Sequence, residues 1–369
     1  MKEKVLGFLR REPVLCLAAL AALLSCCLVP PDRNYAAYFD WRTLVLLYCL
    51  MTVVAGFRKA GVFNILAGTL CARAGSGRSL GLLLTLLCYF SAMLITNDVA
   101  LLTFVPFTVL VMGGEKQRRL LRGTVVLETV AANLGSMLTP VGNPQNLYLY
   151  SHYEMGFGEF FACTLPLCAL SLGLTVLCCL TLPRESVAAP ARPGGALDKR
   201  SLALSTGLFA LCLLTVLRLM AWYVLLPLLL GALLVFDRTL LGKADFLLLL
   251  TFGCFFVFVG NVGRMESVRS AVAALLEGRE LLMGALVSQV ISNVPAAVLL
   301  SGFTENARAL LLGVNIGGLG TPIASLASLI SLKLYSRSEG ARTGRYLALF
   351  SAVNLVFLIV LLGAAAWLL

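Results

Sequence analysis

Apolar stretches separated by short polar ones dominate the chain. Runs nearly free of charge fall at about 14–30, 43–57, 80–112, 123–150, 160–183, 201–217, 221–236, 245–261, 281–303, 307–333 and 346–369. As helices rising 1.5 Å per residue, most of them are long enough to cross an apolar slab roughly 30 Å thick. Two runs do not behave as simple spans. Residues 80–112 are too long for one helix, and Thr96, Asn97 and Asp98 interrupt their middle. Each arm would extend about 21–24 Å, part-way across. Residues 281–303 have the same form around Ser292 and Asn293. Both runs predict re-entrant helical hairpins with polar tips.

Composition agrees with this pattern. Hydrophobic residues make up 60% of the 369 and charged residues 13%, and mean hydropathy is +0.94. No single soluble core could bury so much apolar side chain. Disorder, nucleic-acid binding and a secreted disulfide scaffold are excluded on the same ground. The net charge of +11 is assigned to cytoplasmic loops. With nine spans and two hairpins, 22 of the 29 Lys and Arg residues face the cytoplasm and 7 face away. The expectation is an all-α polytopic protein of the cell's inner (plasma) membrane, amino terminus inside and carboxyl terminus outside. The first run is kept as a span, because no small-residue cleavage site precedes Pro30 and Pro31. Nearly all of the twelve cysteines sit in apolar runs and act as small hydrophobes. His152 is the only histidine, so haem, iron–sulfur and structural zinc lack ligands, and it is expected to be solvated.

The two halves match each other. Asn133-Leu-Gly-Ser-Met-Leu-Thr-Pro-Val-Gly-Asn-Pro-Gln-Asn146 follows the first hairpin, and Asn315-Ile-Gly-Gly-Leu-Gly-Thr-Pro-Ile-Ala-Ser-Leu-Ala-Ser328 follows the second. Asn133 then meets Asn315, Gly135 meets Gly317, Thr139-Pro140 meets Thr321-Pro322, and Asn143 meets Ser325. The tips match as Thr96-Asn97 with Ser292-Asn293, and upstream Asp40 and Gly56 match Asp245 and Gly260. The domain reading is a first repeat over 1–183, a cytoplasmic linker over 184–200, an extra crossing over 201–217, and a second, inverted repeat over 221–369. Within the repeats, 123–150 and 307–333 are discontinuous helices.

Irregular backbone at membrane depth is tolerated only where it is buried in protein or lines a cavity. Proline removes a donor and glycine relaxes the chain, so both segments should unwind, with Thr139 and Thr321 capping the half-helices that restart. Freed carbonyls and Asn or Ser side chains suit a cation, and half-helix N-termini suit an anion. Two matched breaks beside two tips describe a transport site at the membrane midplane.

The segments Ile95–Pro106, Asn133–Asn146, Ser288–Leu300 and Asn315–Ile330 resemble the ion transporter superfamily. It holds arsenite permeases, sodium/proton antiporters of the bacterial D type and sodium-coupled di- and tricarboxylate carriers. The resemblance covers nearly the whole chain and is specific for the superfamily rather than for a substrate. It implies a scaffold domain, a mobile transport domain working as an elevator, and a homodimer joined through the scaffold. It also implies Asn97 and Asn293 near ion and substrate, with sodium near Thr96, Asn97, Ser292 and Asn293. Gly135, Ser136, Thr139, Pro140, Gly142, Asn143, Gly317, Gly318, Thr321, Pro322 and Ser325 would line the unwound segments, with Asn133 and Asn315 beside them. Dicarboxylate carriers have Ser-Asn-Thr at each tip, where this chain has Asp98 and Val294. The arsenite-permease branch is closer.

Asp98 and Glu128 are the acids placed deep in the membrane. A carboxylate about 4 Å from an anion repels it by about 4 kcal/mol at an effective dielectric near 20. Asp98 therefore either carries a proton when an anion binds or faces a neutral or cationic substrate; its bland alternative is a helix cap. Glu128 is a second titratable group or a hydrogen-bonding partner of a neighbouring helix. The leading function is secondary active transport of a small anion or oxyanion, driven by a proton or sodium gradient and needing no other cofactor. A sodium-coupled carboxylate symporter, a sodium/proton antiporter and a passive channel follow. The paired aspartates, H-E-x-x-H cluster or membrane Ser–His set of an intramembrane enzyme are missing.

Overall fold

Inside lipid a chain must pair its own backbone, and helices do so within one segment. In a computed structural model of the protein, residues 12–71, 74–114, 117–185 and 196–369 are described, and the elements among them are helical. Most of the 184–200 linker and the basic residues Lys2, Lys4, Arg10, Arg11, Arg73 and Lys116 lie outside the described residues.

Eight helices form the first unit: α1 (Pro13–Leu28), α2 (Trp41–Lys59), α3 (Val62–Cys71), α4 (Gly77–Ile95), α5 (Asn97–Met112), α6 (Arg118–Gly135), α7 (Pro144–His152) and α8 (Phe157–Cys179). After α9 (Lys199–Val216) eight more follow in the same order: α10 (Trp222–Phe236), α11 (Phe246–Gly263), α12 (Glu266–Leu276), α13 (Glu280–Ile291), α14 (Asn293–Ser301), α15 (Ala307–Gly317), α16 (Leu326–Ser336) and α17 (Thr343–Leu368). The sequence pattern gave no sign of α3 and α12, the short connecting helices ahead of each hairpin. Among the described residues six helices (α2, α4, α8, α9, α11 and α17) are long and apolar enough to cross a membrane.

Packing exchanges the halves. α1 lies against α11, and its counterpart α10 lies against α2; α9 also packs on α2. Asp40 caps α2 by accepting from the Thr43 amide at 2.9 Å, and Asp245 caps α11 by accepting from the Leu248 amide at 3.0 Å. Asp32 pairs with Arg264 at 2.9 Å, and the equivalent Asp237 pairs with Lys59 at 2.6 Å.

Each hairpin is fixed by the helix that follows it. A Cβ on Gly81 would lie 2.9 Å from Thr124 Oγ1, and one on Gly135 would strike the Tyr89 carbonyl. α4 therefore runs parallel to α6. Thr108 and Asn97 of α5 bond to Glu128 and Asn133 in the opposite order, so α5 returns antiparallel. In the second half Gly313 faces Leu281 and Gly317 faces Ala285, again parallel. Glu280 at the base of α13 accepts from Thr304 at 3.3 Å, which closes that hairpin.

Candidate functional site

Both hairpins turn on a residue in the left-handed region, where a side chain is disfavoured: Thr96 with φ 70° and Ser292 with φ 74°. Neither side chain caps the arm that follows. The next amide is used across the fold instead. Asn97 N–H donates to the Gly142 carbonyl at 3.2 Å, and Asn293 N–H donates to the Ala324 carbonyl at 2.9 Å. Each tip is thereby pinned to the break in the helix that follows its own hairpin.

The breaks fall where the Gly and Pro residues stand. α6 ends at Gly135, a short 3₁₀ turn covers Ser136–Leu138, and α7 restarts at Pro144. Asn143 caps α7 by accepting from the Asn146 amide at 2.9 Å. α15 ends at Gly317, and α16 restarts at Leu326. Thr139 and Thr321 do not cap these restarts. Thr139 donates to the Met93 carbonyl, and Thr321 donates to the Gln289 carbonyl at 3.4 Å. Four residues separate each threonine from the helix start, too far for its hydroxyl to reach the first amides, so each ties its break to the first arm of the hairpin.

A buried carboxamide network joins the halves. Asn97 Nδ2 donates to Asn133 Oδ1 at 3.0 Å, and that oxygen also accepts from Ser325 Oγ at 2.9 Å. Asn133 Nδ2 donates to Ser328 Oγ at 3.3 Å. Asn143 Nδ2 donates to Asn315 Oδ1 at 3.2 Å and to Ser136 Oγ at 3.0 Å. Asn315 Nδ2 in turn donates to Asn146 Oδ1 at 2.6 Å. Each break therefore holds the helix preceding the other.

Four helix N-termini converge on a narrow cleft of about 10 Å³. Its lining includes Asn97 and Asp98 from α5, Pro144 and Gln145 from α7, Asn293 and Val294 from α14, and Ser325 and Leu326 beginning α16. The partial positive charge of helix N-termini makes such a point attractive to an anion. Asp98 stands in the first turn of α5, and its carboxylate accepts no hydrogen bond from the described residues, which removes the capping role. The cleft adjoins a cavity of about 800 Å³ between the tips and α2, with Arg58, Lys59, Lys243 and Lys333 in its wall.

The structure thus gathers Asn97, Asp98, Asn133, Ser136, Asn143, Asn293, Asn315 and Ser325, with Thr96 and Ser292 turning the tips. Thr139, Pro140, Thr321 and Pro322 support the breaks from outside the cleft. Gly135, Gly142, Gly317 and Gly318 allow close approach: a Cβ on Gly318 would lie 2.8 Å from Asn293 Nδ2. Glu128 lies apart, bonded to Thr108 at 2.6 Å. His152 is exposed, its ring stacked on Tyr148. Two residues escaped sequence reasoning. Asn146 donates to the carbonyls of Ser136, Met137 and Thr139, all at 3.2 Å, and so holds the first break. Gln289 donates to the Gly317 and Leu319 carbonyls and accepts from the Thr321 amide, holding the second. An amide side chain inside an apolar run was the available signal for Gln289.

Residues 3–308 match the model of the citrate transporter family. An uncharacterized transporter of Methanocaldococcus jannaschii is 33% identical over 332 residues, covering 88% of this chain and 89% of that one. The inner membrane protein YbiR of Escherichia coli is 30% identical over 310 residues, 82% of each. Among solved structures, the YdaH transporter of Alcanivorax borkumensis superposes with a TM-score of 0.58 at 16% identity, over 91% of this chain and 87% of that one, which is a likeness of fold. The broken helices, the paired hairpins and these matches agree, and the chain belongs to the citrate transporter family of membrane transporters within the ion transporter superfamily.

Proposed function

We propose that the protein is a secondary active transporter of a small anion or oxyanion, coupled to a proton or sodium gradient. The convergence of four helix N-termini on one cleft carries this reading, because partial positive charge from four directions favours an anion. Asp98 sets the condition: an ionised carboxylate in the same cleft would repel the substrate. The anion therefore enters with Asp98 protonated, or is taken up as the neutral acid. Transport of a small oxyanion in the manner of arsenite permeases fits this better than sodium-coupled transport of citrate or succinate, whose carriers have threonine at the positions of Asp98 and Val294. A sodium ion near Thr96, Asn97, Ser292 and Asn293 belongs to the carboxylate alternative, and a sodium/proton antiporter stands third.

The two hairpins enter the membrane without crossing it, and the 800 Å³ cavity opens to the cytoplasm. Positive residues gather on the cytoplasmic side of membrane proteins, and Arg58, Lys59, Lys243 and Lys333 lie in the wall of this cavity. Movement of the tips and broken helices against α2 as an elevator, in a homodimer paired through the scaffold helices, completes the reading by its resemblance to the superfamily.

The test follows lumen pH in proteoliposomes on adding sodium, lithium, arsenite, phosphate, succinate and citrate in turn. One anion should move protons, and Asp98→Asn should abolish that movement. Sodium-dependent uptake of a labelled carboxylate, with no pH response in either protein, would replace this reading by the symporter.

A further inference from the structure

Away from the cleft, the contact between α4, α5 and α6 contains a second polar site. Glu128 is fully buried on α6, and Thr108 of α5 supplies its one hydrogen bond, to Oε1. Its Oε2 has no partner. Among the described residues no Lys, Arg or His forms an ion pair with it. The titratable groups whose fields reach Glu128 are Cys88 on α4, Cys179 on α8 and Tyr346 on α17, none of them cationic.

Two further side chains complete the cluster. Thr124 lies one turn before Glu128 on α6, on the same face. Thr85 lies one turn after Gly81 on α4, and Gly81 abuts the Thr124 hydroxyl. Since α4 and α6 run parallel, Thr85 stands level with Glu128. Thr85 and Thr124 are both fully buried, and neither hydroxyl has a hydrogen-bond partner. The Cys179 thiol, a weak partner, lies beside Thr85. This departs from the habit of the molecule, in which Thr52, Thr103, Thr129, Thr164, Thr175 and Thr215 each donate to the carbonyl one turn back. Thr85 and Thr124 have forgone that bond.

Glu128 Oε2 and Thr124 Oγ1 are therefore left without a partner in one buried contact, and Thr85 Oγ1 has only the Cys179 thiol, with no ion-paired cation among the described residues to balance the carboxylate. An unpaired buried polar group costs about 1–3 kcal/mol, more when charged. A proton on Oε2 would give it one donor bond, satisfying at most one of the two threonine oxygens, and a water molecule would leave the charge. A small, hard cation takes oxygen ligands and would serve all three oxygens while neutralising the carboxylate. We propose that Glu128, with Thr85, Thr108 and Thr124, forms a sodium-binding site separate from the hairpin tips. The site does not depend on the identity of the transported substrate.

The test is binding of radioactive sodium to the detergent-solubilised full chain, without substrate, choline chloride holding ionic strength constant. The Asn97→Ala/Asn293→Ala double variant serves as background, because it removes any ion held at the tips. Saturable sodium binding should persist there. Adding Glu128→Gln should weaken it by about ten- to a hundredfold, and Thr85→Val or Thr124→Val, which keep the shape of the side chain, by about tenfold. Should Glu128→Gln fail to fold, the two valine variants decide the matter. Absence of binding in the background, or binding unchanged by these substitutions, overturns the proposal. Failure of anion-coupled proton movement would refute the functional reading above and leave this result standing.

Discussion

Asn143 donates its amide to the side-chain oxygen of Asn315 at 3.2 Å, and Ser325 donates to Asn133 at 2.9 Å, the same relationship with the halves of the chain exchanged. The site is therefore a mutual lock, in which the residue that begins each restarted helix holds the asparagine near the end of the other half's preceding helix. Asn315→Ala takes from Asn143 Nδ2 one of its two acceptors, leaving Ser136, and strands Asn146 Oδ1. Each buried group left unpaired costs about 1–3 kcal/mol. Asn315→Ala and Asn133→Ala should both lower the thermal unfolding midpoint and abolish uptake, and the double variant should be less destabilised than the sum, because both act on one lock. Strict additivity would show two independent contacts.

Gln289 bridges three backbone groups of the second break, where the first break uses Asn146. Gln289→Leu keeps the bulk and removes every bond, so the Gly317 and Leu319 carbonyls and the Thr321 amide lose their partner. The expected loss is about 2–4 kcal/mol of stability, and hydrogen exchange should quicken at Thr321. Slow exchange at Thr321 in the variant would mean that the loop holds itself.

Gly135 packs so close to the Tyr89 carbonyl that an added Cβ must displace backbone, whereas one on Gly173 meets nothing. Gly135→Ala should cost about 1–3 kcal/mol through overpacking and misplace the break. Gly173→Ala, inside α8, should gain a few tenths of a kcal/mol from helix propensity. Paired unfolding curves decide between close approach and a general need for flexible glycine; similar effects at both positions would favour the latter.

Some of this architecture was legible in the sequence. The hairpin tips and the two breaks stood out because Asn, Ser, Gly and Thr-Pro interrupt apolar runs, and lipid tolerates such residues only for a reason. The repeat was legible for the same cause. The roles of Thr139 and Thr321 were not, because the carbonyls they bond lie on another helix. The short helices α3 and α12 carried no apolar run long enough to register. Which asparagine meets which serine depends on how the halves pack, and no spacing along the chain encodes that.

The two matched ion pairs give a prediction in pH. Lys59 hydrogen-bonds the Asp237 carboxylate at 2.6 Å and holds its pKa below the usual value of 3.8, with Thr239 assisting. A carboxyl whose folded pKa is depressed contributes stability above its unfolded pKa and loses it as pH falls through the folded value. The contribution of Asp237 should be complete at neutral pH and disappear below pH 3.8. Lys59 is half exposed, so the magnitude is that of a surface pair, about 0.2–1 kcal/mol. Unfolding midpoints of the wild type and Asp237→Asn should differ at neutral pH and converge in acid. Raised salt should narrow the neutral difference. A gap that persists unchanged into strong acid would show that the Asp237 side chain acts through packing or its bond to Thr239 rather than through its charge.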